Sequence, residues 1–147
     1  MFFYFILGHI LSAFIVYLNH RFVFHGRLGR LPGFRATRRL HALHHTHAYD
    51  EERNNYFEPL WVKVIFYGFL LLIGSLVNWS FSLGLLSFGL LYSYRHKSIH
   101  NGDTSSYFSV HHRHHHTVDT KCNYSGVYPV IDYIFGTASP LKERASK

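Results

Sequence analysis

Ten of the fourteen histidines in this chain fall into four groups, and the groups flank apolar stretches of near-membrane length. They read His20-x4-His25, His41-x2-His44-His45, His96-x3-His100 and His112-x2-His115-His116. This pattern limits the fold, because apolar segments must bring distant polar groups to one level. On an α-helix, positions i, i+3 and i+4 share a face. His41, His44 and His45 therefore fall on one stripe, as do His112, His115 and His116, and His96 falls with His100. His20 and His25 diverge on a regular helix, and they share a site only where the helix loosens at the end of the first apolar segment or where a π-bulge forms. Imidazole suits zinc, copper, iron and nickel. Ten rings exceed the needs of one ion, so the expectation is a closely spaced pair of ions in a nearly all-nitrogen site. No acidic residue forms the Glu-x-x-His pair of soluble di-iron carboxylate bundles.

Three segments qualify as bilayer spans: Phe2 to Leu18, Leu60 to Val77 and Trp79 to Tyr94. Each is slightly shorter than the ~20 residues of a typical span, and flanking aromatics extend its reach. None is interrupted by proline. Pro59 opens the second, where a missing N–H costs nothing, and Lys63 can snorkel to the headgroups. The first lacks the basic start and small-residue cleavage site of a secretory signal, so it is expected to be retained. Asn78 is the turn residue between the second and third, which predicts a tight helical hairpin. The helices are apolar nearly all round, unlike the one-sided helices of a soluble bundle.

Charge orients the chain. Seven arginines lie within 21–53 and seven basic residues follow Tyr94, while the turn at Asn78 carries no charge. The positive-inside rule puts both basic regions in the cytoplasm and the turn outside. Three spans then leave the N-terminus outside and all four histidine groups on the cytoplasmic side. The net charge of +7 suits anionic lipid or an acidic redox partner beside such segments, and a nucleic-acid partner is not expected. Cys122 is the only cysteine, so no intrachain disulfide forms. At 147 residues the chain is read as one domain. The fold class expected is all-α and integral to the membrane: three transmembrane helices with a cytosolic helical cap carrying a histidine-ligated dimetal site.

The run His111 to His116 has two registers, because His111-x2-His114-His115 satisfies the same spacing as His112-x2-His115-His116. Spacing alone does not choose between them. His9, His47, His111 and His114 are expected in surface or hydrogen-bonding roles, and His9, inside the first apolar segment, needs a buried partner.

Taken together, these motifs resemble the fatty acid hydroxylase/sterol desaturase superfamily of histidine-box membrane enzymes, nearest to the fatty acid 2-hydroxylases. The resemblance covers about residues 18–137. His20-Arg-Phe-Val-Phe-His25 matches the first box and Leu40 to His45 the second. Asp50, Arg53 and Phe57-Glu58-Pro59 resemble the D-x-x-R…F-P-P segment that follows it. Leu91-Tyr92 leads into His96, His100 and Gly102 as in the third box. Ser106-Tyr107-Phe108 resembles S-Y-F/L, and His111-His112-x-x-His115-His116 resembles the doubled last box, which supports the second register. Asp132 and Phe135-Gly136-Thr137 match the terminal W-D-x-x-F-G-T.

The chain also departs from that pattern. The 2-hydroxylases usually have four spans. Ser93 stands where the family often has an aspartate that would orient a ligand histidine, with Tyr94 or Ser98 as substitutes. Ile131 replaces a tryptophan and Ser125 a glycine. Asp132 is expected to cap the short C-terminal segment and lock the Phe135-Gly136-Thr137 turn.

The resemblance implies two iron ions, with zinc as a substitute, held by His20, His25, His41, His44, His45, His96, His100, His112, His115 and His116. It implies O2 as cosubstrate and hydroxylation of a lipid C–H bond, on a fatty acyl chain at the 2-position. Sterol or carotenoid oxidation, or an inactive metal-binding homologue, is the alternative. No cytochrome b5-type domain precedes the first segment, so a separate donor, cytochrome b5-type or ferredoxin/reductase, is expected. The compartment expected is the endoplasmic reticulum in a eukaryote or the inner membrane in a bacterium.

Overall fold

The computed structural model describes residues 1–49 and 60–139, and every regular element among them is helical. The motif residues Asp50, Arg53 and Phe57 to Pro59 lie outside the described residues, as do the side chain of Lys63 and the basic residues Lys142, Arg144 and Lys147. Helix α1 spans Phe2–Leu18 and runs on without a break into a π-helical turn, Asn19–Phe24. Two short 3-10 turns, Leu28–Arg30 and Pro32–Phe34, lead into α2, Arg35–Thr46. Then come α3 (Leu60–Ser75), α4 (Trp79–His100), α5 (Tyr107–Thr117) and α6 (Pro129–Ile134).

The ends of these helices follow from local chemistry. The Asn78 side chain accepts from the Ser80 N–H at 2.9 Å and starts α4, which satisfies one of the N–H groups a helix start leaves free. The α3–α4 hairpin therefore turns at Asn78, as its sequence leads one to expect. At the other end of α4, Gly102 has a positive φ of 97°. The Asp103 N–H reaches back to the Ser98 carbonyl at 3.1 Å and the Gly102 N–H to that of Ile99, the Schellman arrangement that only an unbranched residue enters cheaply. Ser106 caps α5 by accepting from the Ser109 N–H at 3.2 Å. Pro129 supplies the first turn of α6, where its missing donor is no loss.

Helix α4 is the centre of the packing, with α1 on one side and α3 on the other. The α1–α4 crossing is close because both helices offer glycine there. A Cβ on Gly8 would run into the Phe81 carbonyl, and one on Gly84 into that of Phe5. Small residues of this kind let two helix backbones meet closely. The α3–α4 contact is similar: a Cβ on Gly74 would stand 2.8 Å from Ser82 Cα, and the Ser82 hydroxyl donates to the Leu71 carbonyl at 2.8 Å. Below the crossing, Ala13, Tyr17 and Phe88 form a core with Tyr124, Val127 and Ile131 of the C-terminal segment.

Among the described residues one helix is long and apolar enough to cross a bilayer, Phe2–Phe24, with 23 residues and a mean hydropathy of 1.8. Only 22% of its most apolar window is buried, whereas a core helix of a soluble protein is buried all round. Helix α3 has 16 residues. Helix α4 has 22 but carries Arg95, His96 and Lys97 in its last two turns. Exposed apolar side chains, among them Phe3, Ile10, Phe69, Leu72 and Trp79, coat the outside of all three.

Gly8→Val is expected to separate α1 from α4, with a loss of about 1–3 kcal/mol or more from overpacking. Gly68, which has open space at its Cβ position, should tolerate alanine and gain up to about 1 kcal/mol of helix propensity. Thermal unfolding of both variants in detergent checks the pair, and equal tolerance at the two positions would contradict the crossing.

Candidate metal centre

Ten imidazoles meet at one end of the helices in two groups of five: His20, His25, His41, His45 and His115, and His44, His96, His100, His112 and His116. Within each group the five ring nitrogens lie within 4.8 Å of one another. His9, His47, His111 and His114 belong to neither group.

Local helix geometry explains who joins which. The π-turn lets the His25 N–H bond the His20 carbonyl at 3.1 Å, an i→i+5 step that brings two rings five residues apart onto one side. On α2, His41 and His45 are one turn apart and enter the first group, while His44 enters the second. On α5 the pattern inverts: His112 and His116 enter the second group and His115 the first. Helix α4 adds His96 and His100, one turn apart. Each group is thus two one-side pairs plus a single ring from a third element. Helices α2 and α5 tie the groups together, and the rings of His45 and His116 stack across them at 4.1 Å.

Backbone carbonyls set the tautomers. His20 Nδ1 donates to the Tyr124 carbonyl at 2.6 Å, His115 Nδ1 to that of Cys122 at 2.6 Å, and His100 Nδ1 to that of Ala48 at 2.8 Å. A carbonyl only accepts, so the proton sits on Nδ1 and the Nε2 lone pair faces the group. Those lone pairs are crowded. His41 Nε2 lies 3.1 Å from His20 Nε2, 2.9 Å from His25 Nε2 and 3.0 Å from His45 Nε2. One ring nitrogen carries at most one proton, which cannot serve three neighbours. In the second group His100 and His96 approach at 3.2 Å, and His116 and His112 at 3.1 Å, again through Nε2. Ligand nitrogens bound at ~2.1 Å and ~90° to each other around one first-row ion stand ~3 Å apart. The residues present therefore fit a pair of such ions, held by nitrogen alone.

Aromatic rings wall the centre. Phe24 stacks on His41 at 4.6 Å, and Tyr92 on His96 at 5.2 Å. Tyr49 lies 5.4 Å from His100, with the Arg113 guanidinium 4.7 Å over its ring. The Tyr49 hydroxyl is buried and has no hydrogen-bond partner among the described residues.

Behind the first group, a strap of residues 122–125 carries the two carbonyls that hold His115 and His20, and Asp132 fixes that strap. Its carboxylate is fully buried and accepts from the Tyr124 N–H at 2.8 Å, the Ser125 N–H at 3.0 Å, His111 Nε2 at 3.0 Å and the Thr137 hydroxyl at 2.7 Å. Burial alone would raise its pKa; the hydrogen bonds from His111, Ser125 and Thr137 outweigh that and hold it below its ordinary value. Asn123 takes a left-handed φ of 58°. Its amide donates to the His111 carbonyl at 3.0 Å, which locks the strap to α5. Asp132 thus acts on the rings through two peptide carbonyls and also holds the Thr137 turn.

Two sequence expectations need correction. Tyr94 is 71% exposed, because two residues before His96 is the opposite side of α4, and it orients no ring. Ser93 shares a 2.7 Å hydrogen bond with the Tyr67 hydroxyl, tying α4 to α3, and Ser98 bonds Asp103. Sequence reasoning also missed the strap carbonyls, since any residue supplies a backbone oxygen, and the partners of His9: Ser87 Oγ and Tyr128 Oη, each at 2.7 Å.

Burial lowers the His25 and His45 pKa values to about 4, with Arg38 adding at His25 and neighbouring histidines at His45. Burial likewise lowers His115 to about 3. All three are neutral at pH 7, as ligation requires. A depressed pKa contributes stability above the ordinary value of 6.5, and that stability is lost as pH falls toward 4. Metal content and thermal stability should both decline between pH 6.5 and 4 and hold steady from 7 to 9. Elemental analysis after stepwise dialysis checks this, and full retention at pH 4 would contradict it.

His44→Ala and His115→Ala should each cut metal content sharply while the protein still inserts, whereas His114→Ala should do much less. Elemental analysis of the three membrane-extracted proteins decides, and equal loss in all three would contradict the grouping.

No curated protein and no solved structure matches this sequence significantly. The fatty acid hydroxylase family model does, over residues 5–137, a stretch that holds all ten rings of the two groups and the Asp132 strap. The chain belongs to the fatty acid hydroxylase family.

Proposed function

We propose that this protein is a membrane-embedded di-iron oxygenase that hydroxylates a C–H bond of a fatty acyl chain, at the 2-position. The observation that carries the reading is the pair of five-imidazole groups in contact at one end of an apolar helix, in a chain of this family. Two iron ions bound there would supply electrons to O2 and the power to attack an unactivated C–H bond.

The protein's own part is orientation and exclusion of water. His20, His100 and His115 are held to one tautomer by carbonyls, so their Nε2 atoms need no reorganisation to ligate. Phe24, Tyr92 and Tyr124 shield the rings. Tyr49, whose ring lies beside the second group and whose buried hydroxyl has no partner among the described residues, is available to donate a proton there. In this reading Phe2–Phe24, α3 and the apolar part of α4 form three spans, and their outer apolar side chains face lipid. The histidine layer lies at the cytoplasmic surface under the positive-inside rule, where an acyl chain among the helices presents its head end. A separate electron donor of cytochrome b5 or ferredoxin/reductase type reduces the centre from that side.

Expression in a host lacking 2-hydroxylated lipids, with lipid profiles taken in air and without oxygen, tests this. The expected result is a hydroxylated acyl product in air alone, lost in His44→Ala. Hydroxylated sterol or carotenoid in its place would reassign the substrate. Iron-loaded protein with no oxygen-dependent lipid product would contradict the oxygenase.

A further inference from the structure

Outside the histidine layer, the most distinctive feature is a basic cleft of about 440 Å³ lined by Gly29, Arg30, Arg35, Arg38, Arg39 and Ala42. It is shallow and open, and its floor is set by close backbone packing. Gly29 is buried beneath it, and a Cβ there would stand 2.6 Å from the Arg38 Cδ, so the missing side chain is what lets the Arg38 stem cross. Arg35 Nε donates to the Arg30 carbonyl at 2.9 Å, which joins the 3-10 turn to α2. Among the described residues none of the four guanidinium groups meets a carboxylate. Four like charges share one concavity, and among the described residues only Arg35 Nε is tied to a protein acceptor, an arrangement that invites a multivalent anion.

The flanks say which anion. Leu28, Leu31, Phe34, Leu40 and Leu43 are all exposed around the arginines. A surface for a soluble acidic protein would carry polar groups at those places, whereas alternating basic and apolar side chains suit the plane between headgroups and acyl chains. The cleft also follows directly on Phe2–Phe24, the helix able to span a bilayer, at the level where that helix leaves the apolar layer.

We infer that the Arg30–Arg35–Arg38–Arg39 cleft binds the headgroup phosphate of an anionic phospholipid and seats α2 on the membrane surface. This rests on the membrane-spanning reading of Phe2–Phe24. Its consequence is mechanical: α2 carries His41, His44 and His45 into both groups, so a phospholipid held at its start fixes the height of the histidine layer over the acyl chains.

The test uses the full chain in neutral detergent micelles, titrated with a short-chain fluorescent phosphatidylglycerol and, separately, its phosphatidylcholine counterpart. Arg35→Gln/Arg39→Gln removes two exposed arginines, and Lys97→Gln/Lys121→Gln removes the same charge elsewhere. Each basic group near an anionic surface contributes enough that losing two should weaken phosphatidylglycerol binding roughly 30-fold. The lysine pair should leave it within about twofold, and phosphatidylcholine should bind weakly to all. Equal weakening by both pairs would mean diffuse charge and overturn the site. Displacement by millimolar inorganic phosphate would overturn the lipid as its source. A double variant that keeps its lipid affinity but loses affinity for an acidic cytochrome b5-type domain would assign the cleft to a protein. Resistance of each variant to alkaline carbonate extraction reports the membrane reading separately, so failure of the cleft and failure of the span are told apart.

Discussion

Where three imidazole nitrogens crowd a fourth, that of His41, at 2.9 to 3.1 Å, one proton cannot satisfy them all. Much of the rest of the molecule exists to keep that crowding in place. Neutral rings brought together with lone pairs inward are unfavourable by about 1–3 kcal/mol for each unsatisfied buried group, and a cation held in each group would reverse the sign. The folded chain must therefore hold its rings stiffly enough not to relax apart. It does so with two helices that each serve both groups, with carbonyls that fix three tautomers, and with a buried carboxylate that clamps the strap bearing two of those carbonyls.

Asp132 illustrates how far such support extends. It touches no ring of either group, yet it joins the strap, the Thr137 turn and His111. His111 thereby has its own work: it is fully buried and engaged with Asp132. The two registers of the histidine run are told apart by this contact as much as by the grouping of His112, His115 and His116. The helix crossing contributes from the other direction. Gly8 and Gly84 bring α1 and α4 close enough that the π-turn ending one and the His96–His100 turn ending the other lie in the same layer.

The legible part of this structure was what spacing encodes. Steps of three and four place histidines on helix faces, and those faces do converge. The odd step of five from His20 to His25 calls for a loosened helix end or a π-turn, and a π-turn is present at Asn19–Phe24. The hairpin at Asn78 follows from a single capping residue between apolar runs. The division of α2 and α5 between two groups was not legible, because it depends on how the helices cross and not on their own periodicity. Nor were the carbonyl partners, which no residue type announces. Tyr94 failed as a supporting residue because closeness in sequence to His96 put it on the wrong side of α4, and Ser93 turned to Tyr67 on a neighbouring helix that spacing cannot see.

The account stands on two nitrogen-ligated ions sharing one layer of the fold. X-ray absorption at the iron edge, with metal content measured on the same full-length sample, tests it most directly. The account predicts two irons per chain, an inner shell dominated by imidazole nitrogen with its characteristic outer-ring scattering, and no sulfur. A single ion per chain, or a shell built mainly from sulfur or carboxylate oxygen, would contradict it.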